Sequence, residues 1–361
     1  MKIGFDARAL VGKRTGIGNY IWHLLNEMAI LNPELEFIAF CPTGFIPSFP
    51  QGIENSKVCS NKAYPLMSGY FWLKWRSASL IKKDNLDVFW APRTLYPSIL
   101  IDNVPVVSTV HDLNHIICPE TMPFINMLAH KLYLKHDVLN ATKVVTNSAG
   151  TAQRVEKLLG KHVDSVVVPG TSPDFFPRNV AEILTIRKKY TLLNPYILFI
   201  GTLEPRKNLS MLLDAFKIVC NHGYPNLSLA LVGQIGWKNS GLKEKIEQFS
   251  GNILELGYVP NEDLAALYSG AEIFVLPSLY EGYGMPAAEA RACGTRVVAS
   301  DIPELREAGG IESTYINPLS VDDLVKGLLQ ALSSEKPTAQ PGISWQAGAQ
   351  EMMKIFSEIA K

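Results

Sequence analysis

The chain has 361 residues, 47% of them hydrophobic and 19% charged, and its 34 basic side chains balance 34 acidic ones. That length implies two domains, the composition excludes wholesale disorder, and zero net charge supplies no electrostatic case for nucleic acid as a partner. The positive excess is small and lies in the first half, where residues 1–180 hold 18 Lys and Arg against 14 Asp and Glu.

Short apolar runs alternate with helical patterns along the whole chain. KIGF near Lys2, EFIAF near Phe37, DVFWA near Val88, VPVVSTV near Val107 and KVVTN near Val145 read as buried strands. The pattern resumes with YILFIG near Leu198, LSLALVG near Leu231, EIFVLP near Phe274 and TRVVAS near Val298. Between them lie helix-like stretches such as GNYIWHLLNEMAIL and LSMLLDAFKIVCNHG. Such alternation indicates parallel sheets covered by helices. It pauses at PGTSPDFFPRN, from Pro169 to Asn179, a proline-bearing linker. A second break, SSEKPTAQPGIS, precedes a last helical stretch. The expected fold is α/β, with Rossmann-like domains over 1–172 and 173–343 and a C-terminal helix over 344–361.

Five cysteines (Cys41, Cys59, Cys118, Cys220, Cys293) without a CxxC pair read as reduced thiols and supply no metal framework. The start, MKIGFDARAL, meets charge too early for a signal peptide, and no apolar run reaches the length of a membrane span. A cytoplasmic location is expected.

In open α/β sheets, ligands bind outside the carboxyl ends of the strands. The unusual residues of this sequence fall there in both halves, which suggests one shared cleft. TGIGNY, with Gly16 and Gly18, is a glycine turn entering a helix; it lacks the third glycine of a dinucleotide fingerprint, and taken alone it reads better as a loop capping the first helix. His111 follows a buried strand and precedes Asp112, a position where chemistry is usual, although a lone histidine is more often structural. GTLEPRKN follows another strand: Gly201 permits a tight turn, and Arg206 and Lys207 arrive just before a helix whose N-terminus attracts anions. A planar guanidinium and a compact ammonium side by side suit phosphate oxygens, or else form a solvated helix start.

In EGYGMPAAEARACGT, the glycines and Pro286 turn the chain sharply after Glu281 into a helix expected over 286–293, with Gly294 as its C-terminal cap. Glu281 then hangs at a strand end and Glu289 sits about one turn inside the helix. Carboxylates repel phosphate but accept hydrogen bonds from vicinal sugar hydroxyls. Two carboxylates at one helix mouth therefore suit two polyols of one ligand.

These segments resemble retaining GT-B glycosyltransferases, specifically glycosyltransferase family four, nearly end to end, including VVSTVHDLNHIICPE, DIPELREAGG and the closing ISWQAGAQEMM stretch. The resemblance implies an N-terminal acceptor domain, a C-terminal donor domain and a last helix crossing back to the first. It implies that Arg206 and Lys207 neutralise the diphosphate of a nucleotide-sugar, and that Glu281 holds donor-sugar hydroxyls with help from the backbone around Tyr283, Gly284 and Met285. Glu289 would clamp the ribose, Gly16 and Gly18 would let the first loop close over phosphates and acceptor, and His111 would lie beside the transferred sugar. No Asp-x-Asp is present, in keeping with a donor bound without metal or other cofactor. One departure is Arg296, where the family usually has proline.

The His111 and Gly16 segments resemble bacterial mannosyltransferase-like members. The expected activity is therefore transfer of a hexose, mannose from GDP-mannose, to a glycan or lipid-linked acceptor in surface polysaccharide synthesis. Rhamnosyl or glucosyl transfer from dTDP- or UDP-sugars, a nucleotide-sugar 2-epimerase-like isomerase and a non-catalytic nucleotide-sugar binder are the alternatives. GYFWLKWRSASLIKK, residues 69–83, mixes aromatics with Lys74, Arg76, Lys82 and Lys83. It reads equally as a peripheral membrane contact or as a helix packing its aromatics on the core.

Overall fold

The computed structural model describes residues 1–12, 14, 16–50, 53, 57–61, 69–81, 83–100, 103–234, 236, 241–247 and 252–360. The chain divides into two compact units. The first comprises Met1–His115, Phe124–Gly170 and Ile343–Lys361; the second comprises Ile116–Pro123 and Thr171–Gly342. The unbroken first domain read from the sequence is thus interrupted by Ile116–Pro123.

The first unit holds β1 (Lys2–Asp6), β2 (Glu36–Pro42), β3 (Lys57–Asn61), β4 (Val88–Ala91), β5 (Val106–Val110), β6 (Lys143–Thr146) and β7 (Ser165–Val166). They form a parallel sheet in the order β3-β2-β1-β4-β5-β6-β7. The second unit holds β8 (Tyr196–Ile200), β9 (Ser228–Val232), β10 (Ile253–Gly257), β11 (Ile273–Leu276), β12 (Arg296–Ser300) and β13 (Thr314–Ile316). These are also parallel, in the order β10-β9-β8-β11-β12-β13. Every residue of β4, β5, β9 and β11 is buried, as strands covered on both faces must be. Strand order reverses between β1 and β4 and between β8 and β11. The loops leaving those neighbours diverge, and a crevice opens at each carboxyl edge.

Five helices matter below: α1 (Gly16–Leu31), α2 (Phe124–Asn140), α3 (Leu209–Asn221), α4 (Asn261–Gly270) and α5 (Met285–Ala292). On α1, Tyr20, Ile21, Leu24, Leu25 and Met28 make one buried stripe at helical spacing. Gly18 lies inside that helix, where a Cβ would stand 2.5 Å from the Ala9 carbonyl oxygen. Packing within the first unit is therefore sufficient reason for this glycine.

The C-terminal helix, Trp345–Ile359, belongs to the first unit. Its Trp345 stacks on His23 at 4.8 Å and meets Tyr20 edge-on, and its Gly348 lets the helix come close to Leu24. Among the described residues no helix is long and apolar enough to cross a membrane.

Residues 69–83 do not form one amphipathic helix. A turn of α-helix at Gly69–Phe71 leads into a π-helical turn at Trp72–Arg76 and a further turn at Ala78–Ile81. Lys74 points inward: its Nζ lies 2.5 Å from both carboxylate oxygens of buried Asp137, which also accepts from the Tyr96 amide. Trp72 and Leu73 are buried as well, while Trp75 is exposed. Lys74 thus contributes nothing to a surface charge, and Lys82 lies outside the described residues.

Candidate active site

The crevice of the second sheet is built from the loops after β8 and β11. After β8 the chain makes a 3-10 turn, Pro205–Lys207, and enters α3 through Asn208 in the left-handed region. Asparagine tolerates that conformation, and the Asn208 side chain fixes the turn by donating to the Pro318 carbonyl at 2.8 Å. Gly233, at the end of β9, is obligatory beside it: at φ +138, a Cβ there would lie 2.0 Å from the Gly201 oxygen. The two loops are then tied together, because the Leu279 amide donates to the Arg206 carbonyl.

Four charged side chains meet at this tie. Lys207 Nζ donates to Glu281 Oε1 at 2.5 Å, and Arg206 Nη1 donates to Glu281 Oε2 at 2.8 Å and to the Tyr280 carbonyl at 2.7 Å. Arg206 Nε and Nη2 both reach Glu204 Oε1, at 3.0 and 2.6 Å. Ser278 Oγ donates to Glu281 Oε1 at 2.6 Å. Burial alone would raise the Glu281 carboxyl, but the charges of Lys207 and Arg206 and the hydrogen bonds from Lys207 and Ser278 outweigh it and bring it down to about 2. Burial also lowers the Lys207 ammonium.

Glu281 therefore does not hang free at the strand end. Both its oxygens are engaged, and two cations are held ready at the crevice. Glu204 and Ser278 complete the arrangement; the sequence placed Glu204 in the strand-end cluster without a role, and Ser278 went unmarked. Glu204, two residues before Arg206, was the more visible of the two.

The helix that follows runs Met285–Ala292, one residue earlier than expected. Gly284 caps it at φ +103, where a Cβ would also collide with Leu305 at 2.4 Å. Pro286 has no amide proton, and the Ala287 amide turns back to the Gly284 carbonyl. Among the described residues, the amides of Tyr283, Gly284 and Met285 have no acceptor in the chain. Gly294, at φ +69, closes the far end. Glu289 Oε2 accepts from the Tyr268 hydroxyl of α4 at 2.8 Å, and burial pushes its carboxyl up to about 7 despite that bond. Nothing in the sequence marked Tyr268.

Arg296 stands at the opposite, N-terminal edge of the sheet. It ties the start of β12 to Glu272 and to the Ser334 carbonyl.

His111 belongs to the first unit, at the end of β5, and is buried. Its Nε2 is 2.7 Å from the Pro92 carbonyl, which can only accept, so Nε2 carries the proton and Nδ1 the lone pair. Burial lowers its basicity, and the ring sits edge-on to Tyr20 at 5.0 Å. Gly16, the first residue of α1, is exposed. The structure thus joins Arg206, Lys207 and Glu281 directly and sets Glu289, Tyr283, Gly284 and Met285 on the adjoining loop and helix.

Two Rossmann-like units, one of them carrying paired cations and carboxylates at its switch point, define a glycosyltransferase of the GT-B fold. Residues 14–175 match the family described as Glycosyltransferase Family 4, and residues 182–343 match Glycosyl transferases group 1. O-antigen chain mannosyltransferase B of Escherichia coli is 32% identical over 351 residues, spanning 93% of this chain and 91% of that protein. The chain belongs to glycosyltransferase family four. Sucrose-phosphate synthase from Thermosynechococcus elongatus shares the fold with a TM-score of 0.77 at 18% identity, over 99% of this chain and 98% of that one. So does the Anabaena protein HepE in complex with UDP and glucose, with a TM-score of 0.69 at 19% identity, over 100% and 95%.

Proposed function

We propose that this glycosyltransferase moves mannose from GDP-mannose to a glycan or lipid-linked acceptor in surface polysaccharide synthesis, with retention at the transferred carbon and without metal. The observation that carries the reading is the 32% identity, over nearly the whole of both chains, with an O-antigen chain mannosyltransferase.

The site suits the chemistry. Lys207 and Arg206 are fixed positive charge where a leaving diphosphate becomes more negative, and such prepositioned groups are worth several kcal/mol each in a transition state. An arriving diphosphate competes with Glu281 for both cations, which frees that carboxylate to accept sugar hydroxyls. The amides of Tyr283, Gly284 and Met285 add donors beside it. Glu289 accepts the ribose diol, Gly201 leaves the β8 turn open, and Gly16 and Gly18 start the helix that carries the first loop. By its resemblance to the family, His111, held neutral by burial, is the residue assigned to the transferred sugar. Acceptor attack then comes from the face the diphosphate leaves, and that diphosphate takes the acceptor proton.

A membrane-borne acceptor is supported by α2. Phe124, Ile125, Leu128 and Leu132 are exposed at helical spacing along it, interleaved with exposed Lys131 and Lys135. Apolar groups flanked by lysines suit an anionic bilayer surface.

The test is a thermal-shift series with GDP, UDP, dTDP and ADP in the presence of EDTA, followed by a transfer assay with the sugar of the best nucleotide. Stabilisation by GDP above the others, and mannose transfer, are expected. Stabilisation by UDP or dTDP alone would replace the mannosyl reading. Interconversion of the nucleotide-sugar without acceptor would replace transfer by isomerisation.

A further inference from the structure

The carboxyl edge of the first sheet carries a second polar cluster, at its own switch point. Asp6 ends β1 and is neutralised by Arg8, whose Nε and Nη2 each reach a carboxylate oxygen at 2.8 Å. Arg93, in the loop after β4, has no carboxylate fork of its own, although its charge helps Arg8 hold the Asp6 carboxyl down. Its guanidinium stands over the Tyr70 ring at 5.6 Å and makes no ion pair among the described residues. From Tyr70 the contacts run edge-on to His130 of α2 at 5.6 Å, and from His130 edge-on to His115 at 5.6 Å. Both histidines keep a buried Nδ1 without any hydrogen-bond partner.

The loop that presents Arg93 is held in an unfavourable shape. Thr94 sits at φ +72, rare for a β-branched residue. Two bonds hold it there: the Thr94 hydroxyl donates to the Thr109 carbonyl, and the Ser108 hydroxyl donates to the Thr94 carbonyl, each at 2.9 Å. Strain of this kind persists where the surroundings over-determine it.

We propose that Arg93, His115, His130 and Tyr70 form a binding site for a phosphate ester. A planar carboxylate would be satisfied by the Arg93 fork alone and would leave both imidazoles orphaned. A tetrahedral phosphate has oxygens to spare for donors arriving from three different elements. Each neutral imidazole presents its Nδ1 as an N–H donor by choice of tautomer. Asp112, whose Oδ1 accepts from the Asn114 amide at 3.0 Å, is the nearby carboxylate. It repels the phosphate and accepts hydroxyls of the sugar that bears it. The site deepens the transferase reading, and rests on it, by giving the acceptor an anionic group. That group is either a soluble sugar phosphate or the phosphate of a lipid-linked sugar.

Full-length protein labelled with ¹⁵N-histidine and saturated with its preferred nucleoside diphosphate is titrated with a hexose 6-phosphate, with the free hexose, and with a short isoprenyl diphosphate. The His115 and His130 nitrogen resonances, assigned with His115→Gln and His130→Gln, are expected to move with one phosphorylated probe and not with the free hexose. A response to the hexose phosphate alone marks a soluble acceptor; a response to the isoprenyl diphosphate alone marks a lipid-linked one. Arg93→Gln should weaken that binding at least tenfold and Arg93→Lys less so, with the nucleotide thermal shift unchanged in both. Resonances unmoved by either phosphorylated probe, or Arg93→Gln without effect, overturn the proposal. Absence of the nucleotide shift in the parent protein would instead overturn the transferase reading.

Discussion

Lys207 Nζ lies 2.5 Å from Glu281 Oε1, so two residues 74 apart in sequence lock the loops after β8 and β11 together. The carboxyl is held down to about 2 against an ordinary value of 4.5. A depressed carboxyl contributes stability above its unfolded value, and loses it as pH falls through its folded value. Denaturant unfolding should therefore show a stability decrement of about 3 kcal/mol between pH 5 and pH 2 attributable to this group. Glu281→Gln should flatten that limb and cost about 3 kcal/mol at pH 7, since Lys207 and Arg206 lose their counter-charge. An unchanged acid limb in the variant would show that the pair is not formed.

Glu289 runs the other way. Burial raises it to about 7, so the folded chain binds a proton that the unfolded chain has released, and stability falls as pH rises from 4.5 through 7. Glu289→Gln should stabilise the protein at pH 8 and not at pH 4. The same substitution should weaken nucleotide binding at least tenfold if the carboxylate takes the ribose. Because that contact favours the ionised form, parent affinity should rise with pH through 7, with proton release seen by calorimetry in buffers of different ionisation enthalpy.

Tyr268→Phe isolates the partner of Glu289. It removes the one hydrogen bond that opposes burial, so the midpoint of the pH–affinity profile should move upward, with about 1 kcal/mol lost in stability. A profile that stays in place would assign the titration to another group.

Lys207→Gln keeps a donor for Glu281 but removes the charge. Turnover should fall about 100-fold or more, far beyond what the accompanying drop in melting temperature from the lost Glu281 partner explains, since the protein stays folded at the assay temperature. Steady-state kinetics beside thermal melts check this, and near-normal rates would remove Lys207 from the chemistry.

Leu128→Ser with Leu132→Ser on the outer face of α2 should abolish co-sedimentation with anionic vesicles and leave nucleotide binding intact. Co-sedimentation unaffected by the double substitution would place membrane contact elsewhere.

The strands legible in the sequence are the interior ones. β3, β7, β10 and β13 were missed, and they are the four edges of the two sheets. An edge strand such as Ile253–Gly257 is half-exposed, so it carries no unbroken apolar run, and β7 has only two residues. In the site, Arg206, Lys207, Glu281 and Glu289 were visible because chemistry-bearing types sat beside turn residues. Ser278, Tyr268 and Gly233 were not, since each acts on a partner from another element and leaves no local pattern. Lys74 was misread for a related reason: its partner Asp137 lies 63 residues away, and a charge beside aromatics looks solvated until that partner is found.

The closing helix has a consequence for how the molecule is made. Trp345, Met352, Ile355 and Phe356 are buried in the first unit, yet a ribosome adds them only after every residue of the second. Residues 171–342 can condense while synthesis continues, but the unit begun first waits for residues 343 onward to cover Tyr20, His23 and Leu24. During that interval a nascent chain presents an open apolar trough. Stop codons just before Trp345 should therefore yield aggregates rather than a shortened enzyme, although no residue of the second sheet is lost.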